Sequence, residues 1–431
     1  MPVSPIVVAH GVGRVYESPL PVWLYLVGAA ATVLISFAIR SVAERRTEER
    51  PARTLMGPRG MNVFGAVLKV AGLAVIGLLA IFAIADPDPG FTAAPLLFWV
   101  ILIIGTTVAS ALVGGVWRYA NPWRTIESMY RVEEEDEPVS PRRTLPWWVG
   151  PVLLYGLFWF ELISGRGFDP VAILLVLLAY TLLALTLSAR LGTGWELVDP
   201  LSILFGFASR SAPLHAGEEG LVYRGPLSGL DQPGPMPMAL FGSVFVLLAS
   251  TTLDNLRETV EWTRFLEWAG LEHTGPKLVE TVALAALTLP FLVAFVGVVA
   301  ISRTWLRERL SLFDTARRFA WSLIPIGIAY VLAHNIPLLI IGVPALLDRI
   351  FDTLGVDLFS RYTPSPLLVW IIEIVVVVGG HVLGVLAAHR AGVRMTDSHA
   401  AAVKSHVALT ILMSFFTVST LWLLSLALVS D

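Results

Sequence analysis

The sequence predicts an all-α protein, a polytopic bundle of about ten transmembrane helices with both termini outside. Of its 431 residues, 56% are hydrophobic and 15% are charged, and the mean hydropathy is +0.74. Ordinary soluble domains are about 45–50% apolar and about 25% charged. In addition, apolar runs recur at the length of about 20 residues that one helix needs to cross a bilayer. The chain is therefore expected in the cell membrane as a multi-pass protein.

Ten apolar runs of this length follow one another along the chain and form a single transmembrane domain. They cover residues 20–40, 63–85, 95–117, 147–164, 170–189, 237–254, 279–301, 320–341, 367–388 and 407–429.

The distribution of positive charge predicts the orientation, because loops on the cytoplasmic side carry an excess of Lys and Arg. One side of the predicted membrane holds 23 of the 30 Lys and Arg residues, and the other side holds seven. The side with 23 Lys and Arg residues contains the predicted cytoplasmic loops 118–146 and 190–236. With ten spans, both termini then lie outside.

Two segments between the spans are predicted to be a solvated linker and an interfacial helix. The stretch RVEEEDEPVSPRR, residues 131–143, is charged and contains proline, which is typical of a solvated linker. The stretch ELVDPLSILFGFASR, residues 196–210, is too short to cross a bilayer and is expected to lie as a helix at the inner membrane face.

Several functional classes lack their sequence signatures. The chain has no cysteine, which excludes disulfides, thiolate metal sites and cysteine nucleophiles. It has no phosphate-binding loop, no HExxH zinc motif and no GxSxG nucleophile motif. The functional candidates are therefore the ionisable residues inside the spans, because burying a charged side chain in a bilayer costs free energy and such residues are usually functional.

Four such residues are expected at one level. At 1.5 Å per residue, Glu161, His334 and Glu373 each lie roughly 9 Å below the outer surface. Asp254 ends its span somewhat nearer that surface. If the helices pack with these faces together, the four side chains form a polar pocket that opens outward.

The stretch IAYVLAHNIPLLI, residues 328–340, has the most informative surroundings. It places His334 beside Asn335, and Pro337 cannot donate a hydrogen bond to the carbonyl of Ala333. An interrupted helix of this kind is tolerated in a bilayer where protein or a water-filled cavity satisfies the released groups. The pattern therefore predicts that this part of the span faces a cavity. The alternative is a purely structural role, in which His334 and Asn335 only form hydrogen bonds between helices.

The following span repeats polar residues at Glu373, His381 and His389. Steps of eight residues displace each by about 12 Å along the helix, so the three cannot bind one ion but can form a ladder for protons. His389 is expected to be an ordinary residue of the cytoplasmic interface. Gly380 and Gly384 have the spacing of a helix-packing surface.

Short motifs spread over most of the chain resemble a family of prokaryotic membrane proteins labelled fenitrothion hydrolase. These motifs are AHGVGR with SPLPVWL, NPWR, ELI, YRGPLSGL, STTLD, IPIGIAYVLAH, GGHVLGVLAAHR and LWLLS. The resemblance implies hydrolysis of an organophosphate ester. The residues that match the recurrent polar positions of the family are His10, Glu161, Asp254, His334 and His381.

Three hypotheses remain open. In the first, a membrane-embedded hydrolase, a divalent metal such as Zn²⁺ activates water for attack on a small apolar ester. His334 would be a ligand, Glu373 a ligand or general base, and Asp254 a ligand or a group that orients one. Glu161 is a further candidate ligand, while His381, Asn335 and His10 are of second rank.

The second hypothesis is a transporter or proton-coupled carrier that uses Glu373, His381 and His389 as a relay. The third is a non-catalytic membrane subunit. In each case the expected partner is the lipid bilayer and not a nucleic acid, and the oligomeric state is left open.

Overall fold

The structure is a computed structural model. It describes residues 21–42, 53–130, 145–257, 259–271, 273–306, 310–352, 365–396 and 398–428. The predicted linker at 131–143 and the candidate residue His10 lie outside these ranges.

Long apolar helices dominate the described residues, which confirms the prediction of a helical bundle. Nine helical segments in these ranges are long and apolar enough to cross a membrane. They are Val22–Ile39, Pro58–Ala85, Ala93–Leu112, Pro170–Ala189, Met238–Leu256, Pro276–Arg303, Leu312–Phe351, Leu367–Arg394 and His399–Leu423. They correspond to nine of the ten predicted spans. The remaining span, 147–164, corresponds to the shorter apolar helix Val149–Leu162, so ten spans and outside termini stay predictions.

The chain divides into two compact units, and the first comprises Met1–Arg50, Pro226–Pro337 and Pro364–Asp431. Its main helices are α1 (Val22–Val42), α10 (Met238–Leu256), α11 (Val260–Trp268), α12 (Pro276–Arg303), α13 (Leu312–Phe319), the first half of α14 (Ile324–Asp352), α15 (Pro366–Arg394) and α16 (His399–Leu428).

Close packing of α14 against α15 organises the first unit. Tyr330 and Ala333 of α14 are buried in one apolar cluster with Trp370 and Val377 of α15. A Cβ atom on Gly380 would lie 2.2 Å from the Cβ of Ala329, so only glycine allows this approach. The predicted role of the glycine spacing in packing is confirmed.

The second unit comprises Pro51–Gly225 and Leu338–Thr363. Its helices are α2 (Pro58–Ala85), α3 (Ala93–Leu96), a π-helix (Leu97–Gly105), α4 (Thr106–Leu112), α5 (Val116–Ala120), α6 (Pro122–Tyr130), α7 (Val149–Leu162), α8 (Pro170–Leu191), a 3₁₀-helix (Gly192–Leu197), α9 (Pro200–Arg210) and the second half of α14.

A small sheet in the second unit was not predicted from the sequence. Its strands are β1 (Arg53–Met56), β2 (Val113–Gly114), β3 (Leu214–Gly217) and β4 (Gly220–Tyr223), in the order β1-β4-β3-β2. The pair β3 and β4 forms an antiparallel hairpin within the segment predicted to be a cytoplasmic loop. Strands of two to four residues are too short to produce a readable alternation of polar and apolar side chains.

Helix α9 corresponds to the segment that was expected at the inner membrane face. Asp199 caps its N-terminus by accepting hydrogen bonds from the backbone N–H groups of Leu201 and Ser202. Ile203, Leu204 and most other apolar residues of the helix are buried. The helix is therefore a core element of the second unit, because its apolar residues cover more than one face.

Candidate functional site

Asp254 and His334 form the centre of the candidate site in the first unit. Asp254 lies in the last turn of α10, and His334 lies in α14. The Nε2 atom of His334 is 2.7 Å from Oδ2 of Asp254, and both side chains are almost buried. Arg257, one turn after Asp254, donates from Nη2 to the other oxygen, Oδ1, at 3.1 Å. The buried carboxylate thus holds a basic group on each oxygen, which is how a buried charge is stabilised.

Glu373 joins this pair from α15. Its side chain is 2% exposed, and an electrostatic interaction links it to His334. Its Oε2 atom is buried and has no hydrogen-bond partner among the described residues. Asp254 and His334 are in contact, and Glu373 interacts electrostatically with His334. We call these three residues the Asp–His–Glu cluster; their common depth in the membrane stays a prediction.

Two buried aromatic residues each lie one turn before a member of the cluster. Tyr330, one turn before His334, stacks on its imidazole with ring centroids 6.1 Å apart. Trp370, one turn before Glu373, is fully buried. The spacing of four and three residues on each helix is the signal that could have identified them.

Asn335, Glu161 and His10 are three further candidates from the sequence. Asn335 donates from Nδ2 to the carbonyl of Val331 at 2.9 Å, so its amide bonds to its own helix. Glu161 lies in the last turn of α7 in the second unit, and its convergence with the cluster stays a prediction. His10 lies outside the described residues.

His381 lies two turns beyond Glu373 on α15, about 12 Å along the axis. It is 1% exposed, and its Nδ1 atom hydrogen-bonds to the carbonyl of Val377 at 2.8 Å. Its Nε2 atom is buried and has no partner in the described part of the chain. One ring nitrogen of His381 is therefore hydrogen-bonded to the backbone, and the other can bind a further polar group.

The expectation that His389 is an ordinary interface residue is wrong. His389 is 3% exposed, and its Nδ1 atom lies 3.3 Å from Nε2 of His406 on α16. His406 bonds through Nδ1 to the carbonyl of Ala402, so its Nε2 accepts the proton of His389. His399 contacts His389 with ring centroids 6.1 Å apart. The spacing of residues along α15 gives no signal of this histidine cluster, because its other members lie on α16.

The donor geometry does not fit a metal ion. No group of three or more His, Asp and Glu side chains within the described ranges is arranged to hold one. In the Asp–His–Glu cluster, Oδ2 of Asp254 and Nε2 of His334 bond to each other.

The fold and site together define a class: a protein of long apolar helices with ionisable side chains buried between them. No protein family, curated protein or solved structure matches the chain. The resemblance to the fenitrothion hydrolase family stays a prediction.

Proposed function

We propose that the protein is a proton-coupled membrane carrier whose protons move along α15. One observation carries the proposal: the buried ionisable residues Glu373, His381 and His389 follow one another on this helix at equal steps. Two steps of about 12 Å cover about 24 Å, most of a hydrocarbon core of about 30 Å.

The Asp–His–Glu cluster would be the entry point for the proton. His334 can carry a proton while Asp254 balances its charge, and Glu373 is the next acceptor. Arg257 also bonds to Asp254 and holds the carboxylate in place beside His334. The pair is therefore suited to take up and release a proton at little structural cost.

The lower groups would complete the path. A step of about 12 Å is longer than a hydrogen bond, so ordered water or side-chain movement must bridge it. Oε2 of Glu373 and Nε2 of His381 are buried polar atoms without a described partner, and such atoms commonly bind ordered water. The hydrogen-bonded pair His389 and His406 would then pass the proton to the cytoplasmic side.

Reconstitution into liposomes tests the proposal. A potassium gradient with valinomycin sets the membrane potential, and a trapped pH-sensitive dye reports proton uptake. We expect Glu373→Gln and His381→Gln to reduce uptake at least tenfold. The control substitutions Glu267→Gln and His273→Gln remove exposed ionisable groups of the same unit and should leave uptake unchanged. Equal uptake by all four variants and the wild type would contradict the proposal.

A second candidate, ester hydrolysis, is favoured by the short contact between Asp254 and His334. A carboxylate that orients a histidine is the arrangement by which many hydrolases activate a nucleophile. His334 would take a proton from water, the resulting hydroxide would attack phosphorus, and the bond to a phenolate leaving group would break. Release of 4-nitrophenolate from an apolar phosphotriester, abolished in His334→Gln, is the measurement. No release above the variant's level would eliminate this candidate.

A further inference from the structure

The second unit contains a cavity that the proposed function does not use. Its volume is about 170 Å³, and it lies beside α5, the start of α6 and helix α9. The lining includes Ser110, Arg118, Asn121, Arg124 and Ser209. We propose that this cavity binds a phosphate group, either in a lipid headgroup or in a soluble phosphate.

The polar groups of the lining present donors because their acceptors are already used. The Oγ atom of Ser209 accepts a hydrogen bond from the backbone N–H of Gly115 at 3.1 Å, so its own proton is available to a ligand. The Oδ1 atom of Asn121 accepts from the backbone N–H groups of Trp123 and Arg124, which leaves its NH₂ group as a double donor. Glu196 also lines the cavity, and its Oε1 atom is bound to Arg124. The other polar groups mainly donate hydrogen bonds, which favours an anion.

Ser110 gives an independent indication of a ligand. Ser110 is 1% exposed, and its Oγ atom is buried without a hydrogen-bond partner among the described residues. Leaving such a group unsatisfied costs about 1–3 kcal/mol, so native structures rarely do so without a bound water or ligand. This hydroxyl lines the cavity and is therefore a further donor for the phosphate.

Two guanidinium groups supply the positive charge. Arg118 bonds through Nη2 to Glu218 at 2.6 Å, and Arg124 bonds through Nη1 to Glu196 at 2.7 Å. A guanidinium has five N–H donors, so each ion pair leaves donors that can bind phosphate. Both pairs are partly exposed, and pairs of this kind contribute little to stability. Rearrangement around an incoming phosphate is therefore inexpensive.

The surroundings of the cavity add further positive charge. Arg224 donates from Nη2 to the carbonyl of Ser209 at 2.9 Å, directly beside the lining. Burial and the nearby charges of Arg224, Arg210 and Arg118 lower the pKa of His215 on the adjacent strand β3. Arg224 and Arg210 thus add two guanidinium groups to that of Arg118 near this strand. This excess of positive charge favours a multiply charged oxyanion over a neutral ligand.

The cavity also has an apolar wall and a suitable size. Trp117 and Phe205 pack edge to face at 4.7 Å, and both line it. A volume of 170 Å³ has room for several water molecules or for one tetrahedral oxyanion with an attached ester group. Because these segments lie on the predicted cytoplasmic side, inner-leaflet anionic lipids and cytosolic phosphates are the two available sources.

Binding measurements on the purified full chain in uncharged detergent test the proposal. Inorganic phosphate is titrated by calorimetry, and phosphatidic acid and phosphatidylcholine are compared by native mass spectrometry. We expect Arg118→Gln and Arg124→Gln each to weaken binding at least tenfold, and Ser110→Ala to weaken it several-fold. Glu196→Gln should tighten binding several-fold, because it releases Arg124 from its carboxylate. Arg303→Gln, on the same predicted side but in the first unit, should have no effect.

The two sources give different results. Saturable binding of inorganic phosphate, blocked by these substitutions, identifies a soluble phosphate. Retention of phosphatidic acid without phosphate binding identifies a lipid headgroup. Absence of both, or binding that the arginine variants leave unchanged while thermal unfolding shows them folded, overturns the proposal. These outcomes do not depend on proton movement along α15, so either proposal can fail alone.

Discussion

His334 and Asp254 bond through Nε2 and Oδ2 at 2.7 Å, although 80 positions separate them in the chain. The contact joins the end of α10 to the middle of α14, and both residues are almost fully buried. Arg257 occupies the second carboxylate oxygen, so Asp254 connects two basic groups. This triad fixes the local arrangement of two helices as well as the charge of the candidate site.

The first prediction concerns the stability of this triad. Asp254→Asn retains the shape of the side chain but removes the charge that balances His334 and Arg257. Breaking a buried ion pair on one side costs about 3–5 kcal/mol, so we expect a loss of this order in the free energy of unfolding. Reversible denaturation in detergent micelles measures it.

A double-mutant cycle separates the pair from its surroundings. His334→Gln alone and together with Asp254→Asn should give a coupling energy within about 0.5–3 kcal/mol. Glu267→Gln, an exposed substitution in the same unit, should change stability by less than about 0.5 kcal/mol. A coupling energy near zero would mean that the short contact is not energetically important.

The second prediction uses two adjacent glycines on α15. A Cβ at position 380 would lie 2.2 Å from the Cβ of Ala329 and 2.6 Å from the carbonyl oxygen of Pro325. Gly380→Ala should therefore push α14 and α15 apart and cost about 1–3 kcal/mol. A Cβ at Gly379 would meet nothing within 4 Å. Gly379→Ala should be neutral or stabilising by up to about 1 kcal/mol, because alanine favours the helix. Equal effects of the two substitutions on thermal unfolding would contradict the packing argument.

Much of the helical part of the fold could be predicted from the sequence, because apolar runs of about 20 residues are a strong signal. The grouping of Asp254, His334 and Glu373 could also be predicted, since counting residues from the ends of a span gives the depth of each side chain. Depth does not give the rotation of a helix about its axis. The atoms in contact therefore came only from the structure.

Other features left no readable signal in the sequence. The four strands are too short to show alternation. Strands β1, β3 and β4 lie in segments that hydropathy marks only as loops, and β2 lies at the end of the predicted span 95–117. His406 was missed because its importance comes from a contact with His389 on another helix. The cavity lined by Arg118 and Arg124 likewise depends on contacts between segments about 80 residues apart.

The third prediction is a pH dependence that arises from His215. Burial, Arg224, Arg210 and Arg118 lower its pKa in the folded protein, whereas the unfolded chain binds a proton near pH 6.5. Below about pH 6.5 the unfolded state therefore holds more protons, and the free energy of unfolding falls as the pH decreases. This loss continues until the pH reaches the lowered pKa of the folded state.

Comparison with His215→Gln isolates the effect from those of the other histidines. The difference in unfolding free energy between wild type and variant should grow as the pH falls from 7 to 5, to the disadvantage of the wild type. A difference that is constant over this range would show that His215 titrates normally. Chemical denaturation at a series of pH values provides the measurement.

The fourth prediction concerns orientation in the membrane. The chain contains no cysteine, so one introduced cysteine is a unique label. The side chain of Arg166 is 62% exposed on the predicted outer side, and that of Glu218 is 80% exposed on the predicted cytoplasmic side. In intact cells an impermeant maleimide should label Arg166→Cys but not Glu218→Cys, and lysis should expose the second. The opposite pattern would reverse the predicted orientation.

The last prediction concerns Pro337, three residues after His334. Proline has no N–H group, so the carbonyl of Ala333 lacks its usual helical donor beside the Asp–His–Glu cluster. Pro337→Ala restores that donor and should stabilise the helix by up to about 3 kcal/mol. If the released carbonyl and the local geometry serve the site, this more stable variant should lose proton uptake in liposomes. Pro290→Ala is the matched control, because Pro290 also interrupts a long apolar helix, α12, but on an exposed face. It should gain stability and keep its activity. Full proton uptake by Pro337→Ala would instead assign the proline to packing alone, since the cluster would then function with an uninterrupted helix.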